Sequence, residues 1–472
     1  MNSQLFAGLM HIDEWLRDIL SEEKKRELYI NLLLLRKISL EYEEESLDNQ
    51  NFHGDYGRDE LKWQFILQNK DNPDLKRIIE EMIFAYINLI PQLQGVIKPE
   101  SIKVDIERRQ LFYIIEFFSE IPQNRSNKNS EFGELFEFII DMFWGRTSSS
   151  QEGEFFAPQS VMQLLIQTLQ PMRGKIYDPN CGSGGMLIHA AKSAKKNGND
   201  AVLYGQTGNE EIWKLSKRNI YIHNVEVDLG TGAADIFFDD QLPELKADII
   251  IGNPPFGQRD WGWDRLYHDS RWKYGIPPKN NGTFAWVQNM LYHSNEQGRM
   301  GIILSMSPLF SRNKSEEIIR MGLIKDDLID GIIQLPTGLF YNTRIPVSLW
   351  LMNKCKNHEC RGKVLFINAS ELGSIEGKQT ILKEEALRKI ADTFETYQQG
   401  ICNSISGFCT VASLNDIEHH EYTLSPDAYI EKKKAEMPTE QELNDREQDL
   451  VLQIRELCEK NMNLVNDILN EK

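Results

Sequence analysis

Lys175-Ile176-Tyr177-Asp178-Pro179-Asn180-Cys181-Gly182-Ser183-Gly184-Gly185-Met186 is the stretch that decides the fold. A short apolar strand ends in an aspartate, a glycine-rich turn follows, and an amphipathic helix starts near Met186. Glycines let backbone approach a ligand closely, and the first turn of the helix offers unpaired amide donors. The turn lacks the Gly-Lys-Ser or Gly-Lys-Thr ending of a phosphate-gripping loop, which leaves a dinucleotide or S-adenosylmethionine as the ligand.

The residues around this turn carry the same texture. Segments 175–177, 201–205, 248–252, 300–305, 329–334 and 347–352 read as buried strands with helices between most of them, which predicts a parallel, doubly wound α/β sheet covered on both faces. Upstream, Leu5, Leu9 and Ile12, then Leu28, Leu32, Leu33 and Leu35, then Leu111, Ile114, Ile115 and Phe118 recur at helical intervals, so residues 1–147 are expected to be an all-helical N-terminal domain. Within it, the acidic segment 41–59 with Gly54 and Gly57 reads as a solvated loop. The catalytic domain is placed at 148–430. Downstream, Lys432 to Lys434 and then Leu450, Val451, Ile454, Leu457 and Leu464 predict a C-terminal helical tail, 431–472, that binds a partner.

A second turn supplies the chemistry. Asn253-Pro254-Pro255-Phe256 ends the predicted strand 248–252, about two strand-helix units after Asp178, so both motifs sit at strand C-terminal ends where such sheets bind ligands. An aryl amine is a poor nucleophile because its lone pair is delocalised into the ring. Two fixed acceptors, the Asn253 side-chain oxygen and the Pro254 carbonyl, localise that pair toward a methyl donor, and successive prolines hold the carbonyl rigidly. Phe256 then stacks on a base rotated out of a duplex. Positioning and electrostatics suffice for this reaction, with no metal and no covalent intermediate.

Together these motifs resemble the methylation (modification) subunit of type I restriction-modification systems, a family of N6-adenine DNA methyltransferases. Gly153-Glu154-Phe155-Phe156-Ala157-Pro158 is similar to the family's segment ahead of its cofactor loop, and Asp178 to Gly185 resembles that loop. Tyr204-Gly205-Gln206 with Trp213-Lys214-Leu215 and Asn219 also matches, as do Gln334-Leu335-Pro336, Leu339-Phe340-Tyr341, Thr343-Arg344-Ile345-Pro346 and Leu424-Ser425-Pro426 near Tyr429. Even 32–42 has the look of the family's helical domain, so the resemblance covers most of the chain. It implies an S-adenosylmethionine fold in which Phe156, Pro158, Asp178, Pro179, Cys181, Gly182, Ser183, Gly184, Gly185, Gln206, Thr207, Asp235 and Asn253 surround the cofactor. It also implies DNA as substrate, a separate specificity subunit that reads base sequence, and a restriction subunit in the full complex. The chain departs from the family pattern at Thr207, where an acidic residue normally holds the cofactor ribose, and at Phe156-Ala157, where the family has Tyr-Thr. Losing a bidentate charged acceptor costs on the order of 1 to 3 kcal/mol of binding, so weak cofactor affinity is expected unless Glu210 or Glu211 substitutes.

Between residues 259 and 279, Arg259, Arg265, Arg271, Lys273 and Lys279 are interleaved with Trp261, Trp263, Tyr267, Trp272 and Tyr274. Cations with aromatic faces beside a catalytic turn suit phosphate contact and base stacking, so Arg259, Trp261, Arg265, Arg271 and Lys273 are the candidate DNA-binding residues. The 472-residue chain has a formal net charge of −18, which argues against a protein that coats DNA by itself. Six scattered cysteines without a leader segment read as reduced cytoplasmic thiols, and no window approaches a membrane span. Cys355, His358 and Cys360 are too few for a metal site and read as a surface turn. Two rival readings stand beside the main one. A degenerate methyltransferase would serve as a non-catalytic assembly or DNA-clamping module, and a glutamine-amide methyltransferase uses a similar turn that usually ends in tyrosine. The turn alone does not separate adenine N6 from cytosine N4.

Overall fold

The computed structural model describes residues 3–48, 59–97, 99–121, 128–144, 156–340, 343–377, 379–401 and 404–431, together with Val451 and Arg455. Residues Met1–Ile430 form one compact unit and Glu431–Lys472 a second. In the second unit Val451 is helical and exposed, whereas Lys432 to Lys434, Leu450, Ile454, Leu457 and Leu464 of the predicted tail lie outside the described residues.

The N-terminal part is built from α1 (Ser3–Trp15), α2 (Glu22–Asp48), α3 (Trp63–Gln68), α4 (Leu75–Leu89), α5 (Arg108–Ser119) and α6 (Lys128–Trp144). Helix α2 is its spine. Leu28, Leu32, Leu33, Ile114, Phe118, Phe136 and Ile139 are fully buried in one cluster, and nearly every position from 28 to 35 is apolar and covered, as in a helix enclosed on all sides. The loop expected at 41–59 is a correction: α2 runs on to Asp48, while Gly54 and Gly57 lie outside the described residues. The acidic run stays helical because Tyr42 is buried against Tyr86 and because Glu41 accepts hydrogen bonds from Lys37, one turn earlier, and from Tyr221.

The remainder of this unit alternates strands and helices. Helix α7 (Gln159–Thr168) leads into β1 (Gly174–Asp178), α8 (Gly185–Lys196), β2 (Ala201–Gly205), α9 (Glu210–His223), β3 (Val227–Asp228) and β4 (Ala247–Gly252). Then come α10 (Trp263–Leu266), α11 (Thr283–His293), β5 (Ser294–Ser305), α12 (Lys314–Lys325), β6 (Ile329–Gln334) and β7 (Val347–Asn353). The chain closes with β8 (Lys363–Asn368), the hairpin β9 (Gly373–Glu376) and β10 (Gln379–Leu382), α13 (Glu384–Gln398), β11 (Cys409–Ser413) and α14 (Leu414–His419). Nine strands form one sheet in the order β11-β8-β6-β7-β5-β4-β1-β2-β3. Apolar clusters cover both faces, one with Leu165, Leu187 and Leu387, the other with Val287, Leu323 and Trp350.

The sheet is mixed, not wholly parallel as the sequence suggests: β7 runs antiparallel to β5 and β6, and β11 antiparallel to β8. The described residues between β6 and β7 contain no crossover helix, so β7 returns against its predecessor. From β1 the order steps outward through β2 to β3 and then resumes on the other side at β4. β1 and β4 are therefore direct neighbours, with Ile176 beside Ile249 and Tyr177 beside Ile250, and the crevice where the order reverses opens at their C-terminal ends.

Candidate active site

The two sequence motifs meet at that crevice. Asp178 ends β1, and Gly182 (φ +54°) and Gly184 (φ +80°) take left-handed backbone that only glycine adopts without strain, folding the turn into the start of α8. Asn180 Nδ2 donates to the Asn253 carbonyl at 3.2 Å, which joins the glycine turn to the Asn-Pro-Pro-Phe turn directly. The Cys181 amide donates to the Gln206 carbonyl (2.9 Å) and the Gln206 amide to the Asp178 carbonyl (3.1 Å), so the β2 loop is fastened to the same turn. Asn253, Pro254 and Pro255 are buried, and Phe256 is half-buried with its ring edge-on to Phe340 at 5.6 Å.

Helix α9 carries the other side of the cradle. Ser216 Oγ donates to the Gly182 carbonyl, and Asn219 Nδ2 donates to the Ser183 carbonyl at 2.8 Å, fixing the turn from beneath. Asn219 is 1% exposed, and its Oδ1 has no hydrogen-bond partner although the residue lines the cleft. The cleft opens to solvent. Of the candidate cofactor residues, Phe156, Cys181, Gly182, Ser183, Gly185, Thr207 and Asn253 line it. Glu137, Ile140 and Asp141 of α6 line it too, with Met162 and Met186, and sequence reasoning missed these. In the sequence nothing separates Glu137 and Asp141 from the other acids of this helix, Glu131 and Glu134.

Other candidates have structural duties. The Gln206 side chain donates to the Tyr177 hydroxyl (2.7 Å) and Asp240 (3.0 Å) and accepts from the Gln241 amide (3.1 Å), leaving it committed to the sheet. Pro158 caps α7 and Pro179 is buried behind the glycine turn. Asp235 is exposed and accepts from the Phe237 amide, close to Gly208 of the β2 loop. Thr207 is 2% exposed and its carbonyl accepts from the Ala234 amide at 2.9 Å. Glu210 and Glu211 do not stand in for the acid absent at Thr207. They begin α9, face solvent and pair with Lys214, because carboxylates at a helix N-terminus satisfy the dipole and an i+3 or i+4 lysine.

A family model described as N-6 DNA Methylase matches residues 127–437. The methylase subunit of the type I restriction enzyme MjaIX from Methanocaldococcus jannaschii is 31% identical over 94% of this chain and 81% of its own length. The chain belongs to the N-6 DNA methylase family, with the methylase subunits of type I restriction enzymes. A second relative, the HindI methylase subunit of Haemophilus influenzae, is 31% identical over 75% of this chain and 82% of its own. The crystal structure of a type I restriction-modification methyltransferase subunit from Streptococcus thermophilus shares the fold at a TM-score of 0.72, with 21% identity, covering 91% of this chain and 99% of that one.

In this methylase the aromatic loop after Phe256 is mostly core, which corrects two candidate DNA contacts. Trp261 is 1% exposed, packs edge-on against Trp272 at 5.5 Å and donates to the Pro278 carbonyl. Arg271 is clamped by Asp269, the Asn289 side chain and the carbonyls of Ile236 and Phe237, so its guanidinium braces the loop from inside. Large apolar faces shed water before they stack on anything else, and the three tryptophans Trp261, Trp272 and Trp286 find Phe237 within the fold. Arg259, Arg265 and Lys273 remain exposed; Arg265 lies over the Phe238 ring at 4.1 Å and Lys273 pairs with Asp326 at 3.0 Å.

Asp178 gives the methylase a pH signature. Its side chain is wholly buried, one oxygen accepts from the Asn180 amide and Oδ2 has no partner. Burial pushes its carboxyl up to about 8, against the pull of the Asn180 amide. An unfolded aspartate loses its proton near pH 4, so between roughly pH 4 and 8 the folded state binds the extra proton and stability falls as pH rises, by up to about 1.4 kcal/mol per unit. In Asp178→Asn this contribution vanishes. Urea unfolding across that range is expected to show the variant gaining on the parent as pH rises, and a constant difference would refute it.

Proposed function

We propose that this methylase transfers the methyl group of S-adenosylmethionine to N6 of adenine in DNA, as the modification subunit of a type I complex. A specificity subunit reads the base sequence, and a restriction subunit joins for cleavage. The observation that carries the reading is the Asn180 to Asn253 hydrogen bond, which sets a glycine turn suited to a nucleoside cofactor against the Asn-Pro-Pro-Phe turn inside one cleft. The cleft residues fit the cofactor: glycine backbone in left-handed conformation allows close approach, and the buried Asn219 Oδ1 awaits a donor.

When bound, the cofactor supplies an electrophilic methyl on a sulfonium. The chain supplies position. Asn253 Oδ1 and the Pro254 carbonyl accept the two hydrogens of the adenine amine and turn its lone pair toward the methyl. Pro254 and Pro255 fix the turn, and Asn180 anchors the Asn253 carbonyl so that the acceptors do not swing. Phe256, braced by the Phe340 edge, presents a face to the extruded base. We read residues 1–147 as the helical domain, 148–430 as the catalytic domain and 431–472 as a partner-binding tail. With a net charge of −18, DNA affinity rests on local cations such as Arg259, Arg265 and Lys273 and on the specificity subunit.

Tritiated methyl transfer to DNA, by the chain co-expressed with its specificity subunit, tests the reading. Label is expected in N6-methyladenine, with a loss of about a hundredfold or more in Asn253→Ala. Label in N4-methylcytosine would change the base, and no label from a folded complex would favour the non-catalytic module. The loop gives a second contrast. Arg271→Ala is expected to destabilise the fold by about 3 kcal/mol through its orphaned partners. Arg259→Ala with Arg265→Ala is expected to leave stability within about 0.5 kcal/mol while flattening the salt dependence of DNA binding. Equal stability losses in both would return Arg259 and Arg265 to the scaffold.

A further inference from the structure

Phe310, on the loop between β5 and α12, is 52% exposed and makes no ring contact among the described residues. An apolar ring in water forgoes the stabilisation of burial, so its surroundings decide whether the exposure is incidental. The backbone on both sides of it is fixed. The buried Arg320 guanidinium donates to the Pro308 carbonyl at 3.2 Å and to the Ser311 carbonyl at 3.1 Å, and its Nε donates to the Tyr422 carbonyl at 2.8 Å. Leu309 is fully buried, and its carbonyl accepts from the Leu424 amide at 2.8 Å. Phe310 is thus held out into solvent by a loop that is itself clamped to the core.

The sheet brings this loop to the catalytic turn. β4 and β5 are parallel neighbours with Gly252 beside Ile302, so β5 runs on for three residues, to Ser305, past the level at which β4 ends, a distance of about 10 Å. The loop therefore starts beyond the Asn-Pro-Pro-Phe turn, one strand away. The Met306 amide donates to the Pro346 carbonyl at 3.0 Å, which stitches this loop to the one that enters β7. That second loop exposes Arg344 and Ile345, the latter by 43%, and the first exposes Arg312 and Lys314 just after Phe310. Lys314 pairs with Glu317 at 3.0 Å, whereas among the described residues neither Arg312 nor Arg344 has an acidic partner.

Extruding a base opens a gap in the duplex, and the lost stacking opposes it. A flat apolar side chain can fill such a gap, and one carried on a fixed loop needs little further ordering to do so. Unpaired cations on the same edge suit the flanking phosphates.

We propose that Phe310 is the wedge that enters the duplex where the target adenine leaves it, with Arg312 and Arg344 on the neighbouring phosphates. This rests on the DNA-methylation reading above. The two rings then have separate tasks: Phe256 receives the base, and Phe310 takes its place in the stack.

The test uses the chain co-expressed with its specificity subunit and duplexes carrying the site that this complex methylates. With 2-aminopurine in place of the target adenine, the parent complex is expected to raise its fluorescence on binding as the base unstacks, and Phe310→Ala to lose most of that rise. With adenine in place, Phe310→Ala is expected to slow single-turnover methyl transfer about tenfold, the scale of one lost stacking contact, and Phe310→Tyr to retain the parent rate. Opposite an abasic position the adenine is extruded cheaply, and there Phe310→Ala is expected to come within about twofold of the parent. Equal slowing on the paired and the abasic duplex would place Phe310 in the scaffold and overturn the inference. A fluorescence rise undiminished in Phe310→Ala would overturn it as well. No methyl transfer by the parent to either duplex would instead sink the DNA-methylation reading itself.

Discussion

Helix α9 belongs to two cores at once, and the geometry of the cleft depends on that double attachment. Leu215 and Ile222 are buried with the N-terminal helices, whereas Ile220 is buried with the sheet. Polar contacts repeat the division. Arg218 pairs with Glu27 of α2 at 2.7 Å, Tyr221 donates to Glu41 and His223 meets Glu137, while Ser216 and Asn219 reach the other way to the carbonyls of Gly182 and Ser183. A shift of α9 toward either core would move the glycine turn. The helical half is thus part of the device that holds the turn still, which is what transfer chemistry by positioning requires.

The sheet sets the other coordinate. Because the strand order reverses between β1 and β4, two turns far apart in sequence sit side by side, and one side-chain hydrogen bond from Asn180 locks them. The walls behind them are close-packed. A Cβ on Gly252 would strike Met290, and one on Gly205 would strike Leu187 and Leu229, so both strand ends are pressed against their covering helices. Rigid walls matter here because no covalent intermediate or metal is invoked. Misplacing the acceptors would cost rate that nothing else in the proposed mechanism restores.

Much of this was legible in the sequence, for identifiable reasons. The strands at 329–334 and 347–352 were readable because a strand buried on both faces is a continuous apolar run with no competing period. The glycine and Asn-Pro-Pro-Phe turns were readable because unusual backbone demands unusual residues. The direction of β7 was not, since an apolar run carries no record of which neighbour it meets or which way it points. Nor were Glu137 and Asp141. An exposed helix face and a cleft wall use the same i, i+4 acidic spacing, and only the close approach of Gly133 to His223 distinguishes them. Trp261 and Arg271 misled for the converse reason: aromatic and cationic residues beside a catalytic turn suit DNA, but they suit the inside of a long loop equally well. The ambiguity was resolved by Asp269 and Asn289, which clamp the guanidinium.

The fate of the cations bears on how such an acidic chain works on DNA. Several are used internally as caps for backbone carbonyls. Arg320 donates to the carbonyls of Tyr422, Pro308 and Ser311, Arg299 to those of Gln170 and Pro171, and Lys354 to those of Leu291 and Ser294. A guanidinium committed to three carbonyls inside the fold does not meet a phosphate, so the positive charge available to DNA is smaller than the count of 53 lysines and arginines implies. Exposed Arg259 and Arg265 lie close in sequence to the catalytic turn. Under the proposed function this arrangement places the phosphate contacts beside the reacting base and leaves general affinity to a partner. A subunit that gripped DNA strongly by itself would dwell on sites its specificity subunit had not read.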